Sequence, residues 1–114
     1  MAHQVPVGWP QEAKHKQLTT SSNAKTTVVA GVPGTRVLVK SLRVNAAANV
    51  YFDILQDLDG VETLLFNDVL INGGTTLTWT DDDGMFELSA GAALKVKTEG
   101  ATITHYNVTY WQHP

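Results

Sequence analysis

Thr26 to Val44 reads TTVVAGVPGTRVLVKSLRV, and its pattern of alternation decides the fold. Thr, Val and Leu dominate, and β-branched side chains suit a pleated surface. Pro33 has no N–H to give a ladder, so Gly31–Gly34 is a turn between two strands. In the second strand Val37 and Val39 share one face. Counting by twos then puts Leu42 and Val44 on the opposite face, with the change of phase near Lys40 and Ser41. A β-bulge or a strand passing from one sheet to another produces such a change. A strand buried on both faces also escapes strict alternation.

Everything downstream repeats strand, small polar turn, strand. Val50, Phe52 and Ile54 alternate with Tyr51, Asp53 and Leu55. Asp59-Gly60 between apolar runs is a hairpin signal, because both residues tolerate φ > 0. Glu62–Phe66 is the return strand, with Asn67–Ile71 a further short strand or irregular edge. Asn72-Gly73-Gly74 turns into Thr75–Thr80, where Leu77 and Trp79 point inward. Phe86 and Leu88 form the next buried pair. Leu94 and Val96 point in while Lys95 and Lys97 point out. Thr104, Tyr106, Val108 and Tyr110 share one face of a long final strand. About eight strands with turns at near-regular spacing predict one all-β domain over 26–114, an antiparallel β-sandwich of jelly-roll type.

Residues 1–25 look separate, as an N-terminal arm and linker. Val5, Val7 and Trp9 are interrupted by Pro6, Gly8 and Pro10, and Pro10 is suited to open a short helix through Gln11–Leu18. That helix has almost no apolar stripe. Lys14, Lys16 and Lys25 cluster here with His3 and His15. The stretch is either a solvated tail or an arm that orders on a partner. Trp9, costly to leave in water, favours the arm.

The chain of 114 residues has no Cys and a net charge of −3. The first fact excludes disulfides, thiolate catalysis and Cys-type zinc sites. The second argues against a general nucleic-acid binder. No apolar run approaches the ~20 residues of a membrane span, and the N-terminus lacks a signal-peptide core. The expectation is a soluble protein made in a cytoplasm, binding neither nucleic acid nor membrane. Charged residues are only 17%, which suits surfaces covered by neighbouring subunits.

No constellation for chemistry stands out. Asp57, Asp59 and Glu62, and likewise Asp81–Asp83, lack the offsets of a calcium loop; Asp is common in turns for local reasons. His3, His15, His105 and His113 form no local metal pair. No Ser sits in a nucleophile elbow, and no Gly-rich phosphate loop leads into a helix. Neither an enzyme nor a cofactor or metal site is expected. Tyr51, Trp79, Tyr106, Tyr110 and Trp111 are the aromatic candidates for a sugar-stacking platform. Alternation places Trp79, Tyr106 and Tyr110 in the core and leaves Tyr51 and Trp111 for an outer surface.

VPGTRVLVKSLRVNAAA, followed later by Leu88, Ala90, Gly91, Leu94 and Val96 of LSAGAALKV, resembles the small β-sandwich virion proteins of tailed bacteriophages. The resemblance covers about residues 26–110. It implies a structural protein, capsid cement (decoration) in type, on the outer head surface and bridging major capsid subunits, with a homotrimer expected. Val5, Val7, Trp9, Lys14 and Lys16 are then the expected capsid contacts, and Tyr51 and Trp111 the candidates for self-association. Head- or tail-fibre domains belong to the same group, so a module that recognises host-surface glycans is the alternative.

Overall fold

The computed structural model describes residues 12–81 and 84–113. They form nine strands and no helix: β1 (Lys14–Thr20), β2 (Thr26–Val29), β3 (Arg36–Ala46), β4 (Val50–Leu58), β5 (Val61–Ile71), β6 (Thr76–Thr80), β7 (Phe86–Glu87), β8 (Ala93–Thr98) and β9 (Thr104–His113). One sheet runs β1-β9-β3-β6, with β7 also on β3, and the other runs β2-β8-β4-β5. All pairings are antiparallel.

The order has a simple origin. The chain is one long ribbon bent at Asp59-Gly60, so that β4 lies on β5, β3 on β6 and β7, β2 on β8, and β1 on β9. Rolling that ribbon brings β9 onto β3 and β8 onto β4. This is the jelly-roll arrangement. At the tip Asp59 and Gly60 take φ of 52° and 87°, the left-handed pair that a two-residue hairpin requires.

The phase change in β3 is a bulge. Its register with β9 slips between Val39 and Ser41, so Lys40 is the extra residue. The slip turns Val37, Val39, Leu42 and Val44 to one side, where none is more than 2% exposed. The stretch before the bulge is also buried on its other face. Leu38 lies against Gly84, where an added Cβ would stand 2.6 Å from Leu38 Cδ1. Gly84 has a φ of +99°, so a side chain there is both strained and crowded. On β3, β6 pairs with Ser41–Asn45 and β7 with Leu38 and Val39, so the two meet the strand on opposite sides of the bulge.

Two expectations need correction. The helix expected over Gln11–Leu18 is absent from its described part, where Lys14–Thr20 is an edge strand paired along β9. Without an apolar stripe a lone helix here is marginal, whereas β9 offers a full ladder and Leu18 packs on the core beside Tyr106. Asn67–Ile71 is not separate but continues the return strand. β5 has eleven residues against nine in β4, and the surplus is taken up by two register shifts around Ile54.

The core lies between the sheets, with Phe52, Ile54, Ile71, Leu94, Val96, Tyr106 and Val108 at most 1% exposed. Phe66 and Trp79 extend it, their rings 5.0 Å apart. Tyr106 buries its hydroxyl with no hydrogen-bond partner among the described residues. Burial pushes its phenol well above the ordinary value, with the Asp53 carboxylate adding to the effect.

Three variants probe these features. Lys40→Ala keeps the bulge and should melt within about 1 kcal/mol of the parent. Deleting Lys40 turns Val37 and Val39 outward and should abolish a cooperative transition in urea, since a one-residue slip inverts a strand's faces. Tyr106→Phe removes an unsatisfied buried hydroxyl and should raise the unfolding free energy by about 1 kcal/mol. A phenol raised in the folded state gives stability that is complete below the unfolded pKa of about 10 and lost above it. Tyr106→Phe should therefore also lose less stability above that pH than the parent.

Candidate interaction surface

Each sheet turns one broad face outward, and the two differ in chemistry. On the β1-β9-β3-β6 sheet the register lines up three rows: His15, Thr109, Ser41, Thr80; then Gln17, Asn107, Arg43, Thr78; then Thr19, His105, Asn45, Thr76. Every position is polar and Arg43 is the one permanent charge. Neighbours bond one another: His15 Nδ1 lies 3.0 Å from Thr109 Oγ1 and His105 Nδ1 lies 2.8 Å from Thr19 Oγ1. Asn45 donates to the Thr75 carbonyl at 2.9 Å. Such a face is well hydrated and satisfied by itself.

The outer face of β2-β8-β4-β5 is different. Tyr51 on β4 and Leu64 and Leu70 on β5 are 44%, 53% and 47% exposed. They are half of the large apolar residues that the described chain leaves in water; Val32, Val61 and Ile103 are the others. Tyr51 pairs with Leu70 and Leu55 with Leu64 across the β4–β5 ladder. Leu55 points away from the core, yet it is only 2% exposed. It floors a hollow of about 330 Å³ whose sides are Lys25, Asp53, Glu62, Leu64 and Lys97.

Ion pairs ring this hollow. Lys25 Nζ meets Glu62 Oε1 at 2.5 Å, and Lys95 Nζ meets Asp57 Oδ2 at 2.6 Å. Asp53 accepts a hydrogen bond from the Asp68 N–H at 2.7 Å and sits beside Lys97 in the ladder. The Asp57 carboxyl is held below its ordinary value, first by the hydrogen bond from Lys95 and then by that from the Gly60 N–H. Asp57 thus ties the hairpin tip to β8, which accounts for this acidic turn without a metal. Among the described residues, no three His, Asp or Glu side chains gather as a metal-ion set.

A second concavity, of about 530 Å³, opens between the sheets at their β1–β2 edge. Lys14 and Lys16 line it with Val29, Val32 and Tyr110, because they stand opposite Tyr110 and Val108 on the inner side of β1. Lys14 Nζ donates to Gln112 Oε1 at 2.9 Å. Inward lysines on an edge strand oppose the addition of another strand.

The expected site residues are therefore scattered. Val5, Val7 and Trp9 lie outside the described residues, as does His3. Lys14 and Lys16 belong to the body of the sandwich and to the mouth of the edge groove. Tyr51 is exposed as expected. Trp111 is not: it stands on the outer side of β9, opposite in phase to Tyr110, but is 0% exposed. Its neighbour across the ladder is the covered Leu38, and the Lys40 ammonium lies 5.8 Å from its ring centroid. It therefore offers no surface to a second subunit or to a sugar. Tyr106 and Tyr110 are buried and Trp79 packs against the core, so of the aromatic candidates only Tyr51 faces water.

Leu55, Leu64 and Leu70 are the residues that sequence reasoning missed. Their signal was the runs Leu64-Leu65-Phe66 and Val69-Leu70-Ile71. A strand with consecutive apolar residues and one core face must turn some of them outward. No protein family model matches the chain, and no curated protein is significantly similar to it.

A carboxyl whose pKa is lowered by folding adds stability that is complete above its unfolded value and lost as the pH falls through the folded one. Asp57→Asn should thus be less stable than the parent near neutral pH. The difference should shrink below about pH 4, the unfolded aspartate range. Urea unfolding across that range measures it.

Proposed function

We propose that this chain is a structural virion protein. It decorates the outside of a tailed-phage head and cements neighbouring major capsid subunits. The observation that carries the reading is the outer β4–β5 face. It combines exposed Tyr51, Leu64 and Leu70 with ionic groups already paired among themselves. Such a surface is built for adhesion and has little to offer chemistry. The jelly-roll body and the likeness of Val32–Ala48 and Leu88–Val96 to phage virion proteins support it.

Two separate regions would do the bridging. The first is the N-terminal stretch, with Val5, Val7 and Trp9 as apolar contacts; Glu12, the first described residue, lines the edge groove. Lys14 and Lys16 at the mouth of that groove supply positive charge for an acidic capsid surface. The second is the body itself. Holding power comes from apolar area removed from water, at about 25 cal/mol per Å², multiplied by many copies engaged on one lattice. A chain without Cys is suited to fold in the reducing host cytoplasm before assembly.

The test is co-sedimentation of the full chain with purified heads that lack it. Saturable binding is expected, weakened about 30-fold by Trp9→Ala, the loss of a buried aromatic anchor, and weakened also by Lys14→Glu with Lys16→Glu. Absence of binding to heads, with binding to a host glycan instead, would overturn the reading.

A further inference from the structure

We propose that a second copy of this chain docks face to face on the outer surface of the β2-β8-β4-β5 sheet. Tyr51 of each copy seats in the Leu55-floored hollow of the other. The inference deepens the adhesive reading above and rests on it.

The face carries both halves of a self-complementary contact. Tyr51 is the projecting group, 44% exposed. The hollow over Leu55 is the recess, with about 330 Å³ of space. Both belong to the outer side of β4, four residues apart and hence about 13 Å along the strand. A half-turn that exchanges the two ends of β4 lays each Tyr51 over the other copy's Leu55 and Leu64. Its Leu70 neighbour comes along beside it. A two-fold contact demands that residue i meet j while j meets i, and knob and recess on one face satisfy that demand twice. Inside the recess the ring lies against Leu64 and the stems of Lys25 and Lys97, since Leu55 beneath is itself only 2% exposed, while its hydroxyl reaches the rim, where Asp53 and Glu62 carboxylates accept.

Charge favours a like partner. The ionic groups lining the face are Lys25, Lys95 and Lys97 against Asp53, Asp57 and Glu62. Their charges cancel, so a copy of the same face is not repelled, and a strongly charged partner finds no field to attract it. Size permits a modest contact. The four strands hold 4, 6, 9 and 11 residues, and at about 3.3 Å per residue and about 4.8 Å between strands they give a flat area near 480 Å², toward the small end of specific interfaces.

The geometry also selects faces over edges. The register shifts in β5 fall between Leu64 and Phe66 and between Phe66 and Val69, and Asp68 in the second takes a φ of 50°. Bulges of this kind twist an edge away from strand addition. A second copy is thereby steered onto the flat side of the sheet, and to two-fold pairing in place of the three-fold closure that the phage resemblance implies.

Sedimentation equilibrium of the full chain should show a dimer. Tyr51→Ala, at an exposed position, should raise its dissociation constant about 30-fold with unchanged thermal unfolding of the monomer. The native chain has no Cys, so cross-linking is selective. Tyr51→Cys mixed with Leu64→Cys should form a covalent heterodimer under mild oxidation, because positions 51 and 64 meet only between copies. A monomer at about 100 μM, a weak limit for a specific contact, would overturn the proposal. So would a trimer, or a dimer indifferent to Tyr51→Ala. Head co-sedimentation separates the two readings. Heads that bind wild type and Tyr51→Ala alike, with no dimer, overturn the pairing alone. A dimer that binds no heads overturns the decoration role alone.

Discussion

The extra residue at Lys40 is the constraint on which this sandwich depends. β3 is the longest strand with partners on both sides, β9 on one and β6 and β7 on the other. A regular strand would send either Val37 and Val39 or Leu42 and Val44 to water. The bulge turns all four inward, and fully burying a Val or Leu side chain is worth about 1.5–3 kcal/mol. It also bends the strand, which divides its second neighbour into β6 and β7. Gly84, between those two, lies against Leu38. A single insertion thus shapes the centre of the core and the covering over one outer face.

The two outer faces follow from how each sheet closes its polar groups. On the β1-β9-β3-β6 side, Thr, Asn and His bond along rows, and the apolar Leu38 and Trp111 are already buried. On the other side the surplus residues of β5 leave leucines outside, and lysine stems and ion pairs close over Leu55 alone. Exposed surface pairs are individually weak, about 0–1 kcal/mol. The Lys25–Glu62 pair chiefly frames the recess, while the less exposed Lys95–Asp57 pair also holds the hairpin tip to β8. The adhesive groups Tyr51, Leu64 and Leu70 lie outside the core, so they can change without disturbing it.

Much of the architecture was legible because its determinants are local. Asp59-Gly60, Gly73-Gly74 and Gly91 mark turns by backbone need. Alternation at Leu94–Val96 and Tyr106–Tyr110 marks core faces directly. β1 was illegible because its pattern, KHKQLTT, is almost wholly polar; its pairing comes from the free edge of β9, more than eighty residues away. Trp111 had the right phase and the wrong exposure: Leu38 lies across the ladder and Lys40 over its ring, and burial by such distant neighbours leaves no mark in the local period. The outer leucines of β5 were hidden by bulges, which break the period-two pattern that would reveal them. In each case the missing information was long-range.

The ribbon topology sets an order on synthesis. β9 lies between β1 and β3, and β8 lies between β2 and β4. Neither sheet has its middle until these late strands leave the ribosome. Before that, β1 and β3 share no partner, and the pairings open are those of the ribbon itself, β4 on β5 and β3 on β6 and β7, a two-stranded arrangement that is marginal in water. The two sheets can therefore close only when β8 and β9 are present, and β9 acts as the clasp that joins β1 to β3.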